Sequence, residues 1–171
     1  MQDPPVASRP HAPGYFLPSD EGVGLLTWDA AVERLVAARN YWVSSASSAG
    51  IPHAMPVWGV WLDDRFLFST GPRTRKARNL IENPFAVVHL ESGSELVVVE
   101  GTVRQNSDAR AISDFLAAYN PKYGWSFTAD DFRSGELFEV RPRKAFAWLG
   151  DEGDAFAGAG TRWVFDDSRA A

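Results

Sequence analysis

The run STGPRTRKARNLIENP, residues 69–84, places Arg73, Arg75, Lys76 and Arg78 where a helix should begin. Helix starts favour acidic side chains, because the aligned peptide dipoles and unbonded N–H groups already make that end positive. Each misplaced cation costs roughly a few tenths of a kcal/mol. A bound anion would turn that cost into attraction. Ser69, Thr70 and Gly71 lead from a strand end into the helix with hydroxyls and free N–H groups, and Pro72 suits the first helical position, having no N–H to leave unbonded. Strand end, small-residue turn and basic helix start together make an anion pocket, with phosphate the natural guest. The competing account is a solvated charged helix in which Arg78 and Glu82 pair at i,i+4. At about 100° per residue, Ala77, Leu80 and Ile81 share one apolar stripe. Arg75, Arg78 and Glu82 fall opposite it, and Arg73 and Lys76 fall beside it, nearer the body of the protein.

Other chemistry is sparse. The chain has no cysteine, which excludes disulfides, thiolate metal sites and cysteine nucleophiles. His11, His53 and His89 show no metal-ligand spacing. Glu91 and Glu95 flank a turn, where solvated charge is the ordinary explanation, and ESGSE offers no strand-to-helix elbow for a nucleophilic serine. A GxxxxGK[ST] phosphate loop is absent, and GVG at 22–24 and GAG at 158–160 are too short for dinucleotide fingerprints. Neither a catalytic side chain nor a metal site is expected. The net charge of −5 opposes a general nucleic-acid binder, so any anion site must be local.

The elements that would position the basic helix follow from periodicity. With 171 residues, 45% of them hydrophobic and 13% aromatic, the chain suits one domain with a sizeable core. Residues 1–24 carry five prolines and no periodicity, and read as a flexible tail ahead of a single domain over 25–171. Thr27 caps an expected helix from Trp28 to Arg39. Strands are expected at 41–47, 52–62 and 65–70, then, after the basic helix, at 86–92 and 95–105. Pro52 and Pro56 mark the second strand as one with an edge, a bulge or a ligand beside it. Ser107 caps an expected helix over Asp108–Tyr119, which NPKYGW breaks. A long strand over 137–149, a Gly/Ala-rich loop and a short closing strand TRWVF complete the chain. The pattern predicts a mainly β fold: a small antiparallel barrel with flanking helices. The VVV run at 97–99 implies burial on both faces, inside a barrel or at a subunit interface. No apolar run reaches the roughly 20 residues of a membrane helix, and the N-terminal stretch lacks a signal-peptide segment, so a cytoplasmic protein without membrane contact is expected.

The block PHAMPVWGVWLDDRFLFSTGPRTRKARNLIENP, with KYGW at 122–125 and the closing TRWVF, resembles the pyridoxamine 5′-phosphate oxidase-like split β-barrels, especially the actinobacterial branch that uses FMN or the deazaflavin F420. The resemblance runs from about Trp28 to Phe165. It implies that Arg75 and Lys76 hold a cofactor phosphate, with Ser69 and Thr70 on the same side. Met55, Pro56, Val57 and Trp58 would line the isoalloxazine ring. Trp148 and Arg162 would complete the site from the partner subunit of a homodimer. His53, within the matching block, is a weaker addition. Where the vitamin-processing oxidase has an Arg, this chain has Met55; its Lys is replaced near Val60, and AGAGT stands in place of an Arg-x-His. Pyridoxine phosphate is therefore not the implied substrate. Arg73, lying beyond the phosphate pair, and a bias of 14 Arg over 3 Lys that suggests a high-GC genome both tilt the cofactor slightly toward polyanionic F420.

The expected function is a flavin- or deazaflavin-dependent oxidoreductase passing hydride to or from a small planar unsaturated substrate. A non-catalytic flavin or haem carrier on the same barrel is the alternative, and a nucleic-acid module using the basic helix is a weaker third.

Overall fold

The computed structural model describes residues 4–11, 24–132, 135–149 and 159–165. Its strands are β1 (Val6–Ser8), β2 (Tyr41–Ala46), β3 (Pro52–Val57), β4 (Gly59–Leu62), β5 (Arg65–Ser69), β6 (Phe85–His89), β7 (Glu95–Gln105), β8 (Leu137–Leu149) and β9 (Thr161–Val164). Three helices join them: α1 (Trp28–Ala37), α2 (Arg75–Glu82) and α3 (Ala109–Tyr123). The Gly/Ala-rich loop expected after β8 falls almost entirely outside the described residues. None of the described helices is long and apolar enough to cross a membrane.

All strand pairs are antiparallel. β2 pairs with β3, and the chain continues past Trp58 into β4, which pairs with β5. β5 pairs with β8, β8 with β7, β7 with β6, and β6 returns to β2. That circuit closes a barrel, and β9 and then β1 extend the sheet beyond β8. The expected second strand is thus two strands hinged at Trp58. Part of the expected N-terminal tail forms β1.

Alternation places Tyr41 and Val43, Val88, Val97 and Val99, and Phe138 and Val140 inside. α1 adds Trp28, Ala31 and Leu35 to this core, and α2 adds Ala77 and Leu80. α3 builds a second core outside the barrel, setting Ile112, Phe115 and Tyr119 against Val60, Leu67 and Leu137.

Register changes once along β8. Gly101 faces Pro142 while Glu100 faces Lys144, which leaves Arg143 as an extra, bulged residue. A one-residue slip exchanges the two faces of a strand. Before the bulge Phe138 and Val140 point inward; after it Ala145 and Ala147 do, and Phe146 and Trp148 turn outward, half-exposed. The carbonyl of Arg143 is not wasted, since Phe165 N–H donates to it at 3.0 Å.

Two expectations about helix ends are corrected. α2 begins at Arg75 rather than Pro72, because Thr74 supplies the cap: its Oγ1 accepts from Ala77 N–H at 3.2 Å. Ser107 does not cap α3. Asp108 does, accepting from Ala111 N–H at 2.9 Å, and the helix runs through NPKY to a left-handed Gly124 at φ 72°. Pro121 removes one donor but lies in the last turn, where buried Tyr123 anchors the helix end.

Candidate functional site

The β4–β5 hairpin zips from Leu62↔Arg65 as far as Gly59↔Phe68 and then opens. Continued pairing would set Trp58 opposite Ser69 and Val57 opposite Thr70. Instead β3 leaves to pair with β2 alone, and Thr70 N–H donates to Glu136 O at 3.0 Å. The sheet therefore splits, with the outer edge of Met55–Trp58 on one side and Ser69–Thr70 on the other. Pro56 loses nothing on such an edge, because no strand needs its N–H there. Gly59 makes the divergence point a glycine by necessity: a Cβ there would lie 2.4 Å from the Phe66 ring.

α2 starts on the Ser69–Thr70 side. Thr70 Oγ1 and Thr74 Oγ1 lie 3.2 Å apart, and the backbone N–H groups of Arg75 and Lys76 find no acceptor among the described residues. Arg75 is exposed, as its place opposite the apolar stripe predicts. Lys76 is buried, at 8% exposure. Its ammonium lies 5.5 Å from the centroid of the Phe68 ring, at the point where the hairpin opens. No carboxylate among the described residues lies within ion-pair distance of it. Burial lowers its pKa to about 8. Beside it Asn79, also buried, donates to Ser45 Oγ at 3.3 Å and so ties α2 to β2. Sequence periodicity did not single out Asn79; a polar residue three places after Lys76 on the inward face is the signal that would have found it.

Three details of this helix differ from expectation. The buried stripe is Lys76, Ala77, Asn79 and Leu80, while Ile81 is 55% exposed. Arg73 precedes the helix and faces solvent rather than the body of the protein. Arg78 and Glu82 form no ion pair; an Arg78 guanidinium N–H donates weakly to Arg73 O at 3.5 Å. Arg73 instead lines an open hollow with Gly71, Pro72, Thr74 and Glu136.

The ring-lining residues divide. Val57 is buried and faces Tyr41 across the β2–β3 ladder, Met55 is 46% exposed, and Pro56 is exposed. Trp58 turns toward the end of α3, stacking on Tyr123 at 5.0 Å and 12°. Its Nε1–H donates to Asn40 Oδ1 at 3.2 Å, and the Arg39 guanidinium lies 5.8 Å from its ring. Arg39, Asn40 and Lys122 around this tryptophan escaped the sequence reading. His53, half-buried, faces Ser45 on β2.

Trp148 and Arg162 stand elsewhere. Ser69 pairs with Leu137 at one end of β8, and Trp148 lies near the other end, facing Leu96. Trp148 lies eleven residue steps along the strand from Leu137, roughly 36 Å of path. Arg162 lies on β9, with Nε–H donating to Ser8 Oγ at 3.2 Å. Neither residue meets Lys76 within one chain. Both share the outer sheet face with Trp42, His89, Val98 and Phe146. On that face Trp42 and His89 stack, and a cavity of about 720 Å³ opens between β2, β6, β7, β8 and β9, reaching Glu100, Arg143 and Lys144.

A family model described as pyridoxamine 5′-phosphate oxidase matches residues 27–149. No curated protein sequence matches. Among solved structures, one assigned to 5-nitroimidazole antibiotic resistance in Bacteroides thetaiotaomicron is 14% identical, covers 86% of each chain and superposes with a TM-score of 0.62. An F420 reductase is 18% identical over 66% of this chain and 94% of its own, with a TM-score of 0.50. HutZ, the haem storage protein of Vibrio cholerae, is 13% identical over 80% and 90%, with a TM-score of 0.55. At these identities the structures share the fold.

Proposed function

The chain belongs to the pyridoxamine 5′-phosphate oxidase family, and from that premise we propose that it is an oxidoreductase using FMN or F420, built as a homodimer with its cofactor sites between subunits. The observation that carries this reading is Lys76, an ammonium buried at a helix start with no carboxylate in reach among the described residues, at the mouth of the split between β3 and β5. Burial and the helix dipole both oppose its charge, and a phosphate there answers both.

In this reading Lys76 and Arg75 hold the phosphate, the N–H groups of α2's first turn and the hydroxyls of Ser69 and Thr70 donate to it, and the free edge of Met55–Val57 receives the ring. Arg73, beside its open hollow, suits a longer anionic tail and keeps F420 slightly ahead of FMN. The bound ring supplies hydride transfer to or from a small planar unsaturated substrate. The chain's own task is to orient the ring, exclude water from one face and hold the anionic end, which demands no nucleophile. Trp148 and Arg162, remote from Lys76 in their own chain, would reach the site of a second copy across the outer sheet face. On that face Val98 lies between His89 and Phe146 across the ladder, so one side of the VVV run would meet the partner and the other the barrel core.

Titration of the purified full chain with FMN and F420 in parallel tests the proposal. Saturable binding of either cofactor, at least tenfold weaker in Lys76→Met, supports it, as does a bound spectrum that bleaches with reductant and recovers with an acceptor. Binding of neither, or binding indifferent to Lys76→Met and Arg75→Ala together, overturns it. A Soret band on adding haemin, with no flavin bound, would move the protein to the carrier alternative.

A further inference from the structure

We propose that Trp58, Tyr123, Trp125 and Arg39 form a platform that selects planar conjugated carboxylates, aryl or enoic, as the substrates of the reaction proposed above, on which this assignment of a substrate class rests. Trp58 sits at the hinge between β3 and β4, where the ring-receiving edge ends. Its indole extends that edge into an aromatic surface. Tyr123 stacks on it, Trp125 lies 6.2 Å away at 49°, and Phe127 stacks on Trp125 at 5.2 Å. Trp58 is 39% exposed and Trp125 47%. Several large aromatic faces left open side by side are a binding feature rather than packing.

The surface is held rigid by polar bonds that do nothing for the rings themselves. The Tyr123 hydroxyl accepts from Gly59 N–H at 3.0 Å and has the carbonyl oxygens of Arg39 and Gly59 at 2.7 and 2.8 Å, donating to one of them. Left-handed Gly124 reverses the chain, Trp125 N–H donates to Asn120 O at 3.0 Å, and the Asn120 side chain clasps both backbone groups of Phe127 at 2.9 and 3.2 Å. A preorganised aromatic surface loses little freedom on binding a flat ligand.

Charge then decides which flat ligand. Arg39 is exposed, lies 5.8 and 5.4 Å from the Trp58 and Tyr123 ring centroids, and has no carboxylate within ion-pair distance among the described residues. Lys122 adds a second positive charge, its Nζ donating to Val36 O at 3.1 Å and Tyr41 Oη at 3.0 Å. Burial and then Arg39 lower its pKa to about 8. Among the described residues, the acid bonded into this cluster is Glu91, which accepts from Asn40 Nδ2 at 3.1 Å. Two cations against one carboxylate leave the platform positive in a chain whose net charge is −5. An arginine fork beside open π-faces matches a carboxylate conjugated to a flat skeleton. Cationic or purely aliphatic ligands match neither part.

The test uses the full chain without added cofactor, so its outcome is independent of flavin binding. The protein is titrated with 2-naphthoate and with its uncharged analogue 2-naphthamide while the indole N–H resonances are followed by NMR. Trp58→Phe and Trp125→Phe identify the two relevant signals among the seven tryptophans. Naphthoate is expected to shift those two signals and to bind about tenfold or more tightly than the amide, the size of one charge-assisted hydrogen bond. Arg39→Gln should bring the two ligands within about threefold of each other, and Arg39→Lys, which keeps the charge but not the fork, should fall between. Equal affinities in the unaltered protein, discrimination that survives Arg39→Gln, or shifts confined to other tryptophans would overturn the proposal. Failure of the flavin titration with the naphthoate preference intact would remove the oxidoreductase reading and leave an aromatic-acid site; the reverse result would do the opposite.

Discussion

Desolvation by burial lowers the pKa of the Lys76 ammonium to about 8, and the positive end of α2 is a further unfavourable neighbour for its charge. The pH dependence follows from the sign. The unfolded chain keeps this lysine protonated up to its ordinary value of 10.5, so between about 8 and 10.5 the unfolded state binds more protons. Lys76 therefore makes the cofactor-free protein less stable below pH 8 and releases that cost as pH rises through the window. Affinity for a phosphate-bearing cofactor should run the other way, constant below pH 8 and falling above it as the ammonium loses its proton. Isothermal titration across pH 6–10 would show the break. Lys76→Met should separate the two effects: cofactor affinity falls, while denaturant unfolding of the cofactor-free protein at pH 7 shows a gain of about 1–3 kcal/mol. Loss of both stability and affinity would make Lys76 an ordinary structural residue. At this scale the inward placement of Lys76 was legible from its angle on the helix. Asn79 and exposed Ile81 were not, because the buried stripe centres on the lysine itself and so does not follow hydrophobicity.

Elements were legible where one physical rule acted alone. Apolar runs bounded by turn residues gave β7 and, to within one residue, β2, and the Thr27 cap gave the start of α1. Errors came where two rules competed. Pro72 suits a helix start, but Thr74 offers a side-chain cap and takes the boundary. Pro121 opposes a helix, yet the contacts of Tyr123 extend α3 past it. The division of one predicted strand at Trp58 depends on a sheet parting in three dimensions, and only the two prolines hinted at it. Tyr123 binds these elements together, since its hydroxyl joins α3 to Gly59 and to the chain after α1. Tyr123→Phe leaves a buried Gly59 N–H without its partner and should cost about 1–3 kcal/mol in urea unfolding. A change below half a kcal/mol would mean that water replaces the hydroxyl and that the junction is looser than described. The bulge at Arg143 is a further element-scale device, for without it Trp148 would point into the barrel.

Two features concern the molecule as a whole. Arg65, Arg104 and Arg141 converge on fully buried Glu139, with Asn106 Nδ2–H at 2.6 Å, and so join β5, β7, β8 and the lead into α3. Burial would raise the Glu139 pKa, but hydrogen bonds from Arg141, Arg104 and Asn106 outweigh it and hold the carboxyl below its usual value. Its stabilising contribution is present above the unfolded pKa and disappears as pH falls through the lower folded value. Glu139→Gln removes the buried carboxylate on which three guanidinium groups converge and should cost about 3–5 kcal/mol by calorimetry at neutral pH, with a flatter acid limb. The second feature is the outer sheet face. If that face is the contact of the proposed homodimer, Val98→Asp should yield monomers in sedimentation experiments and weaken cofactor binding with it, whereas dimers that persist would place the contact elsewhere.

The N-terminal strand carries one more consequence. β9 would otherwise end the sheet with a bare row of N–H and carbonyl groups, inviting any extended chain to add to it. β1 covers that row, and its own flanks read Pro4-Pro5 and Pro10, residues that cannot donate to a further ladder. The short strand thus behaves as a terminator of sheet growth. Deleting residues 1–10 should leave the barrel folded but prone to edge-to-edge aggregation, visible as light scattering that increases with protein concentration.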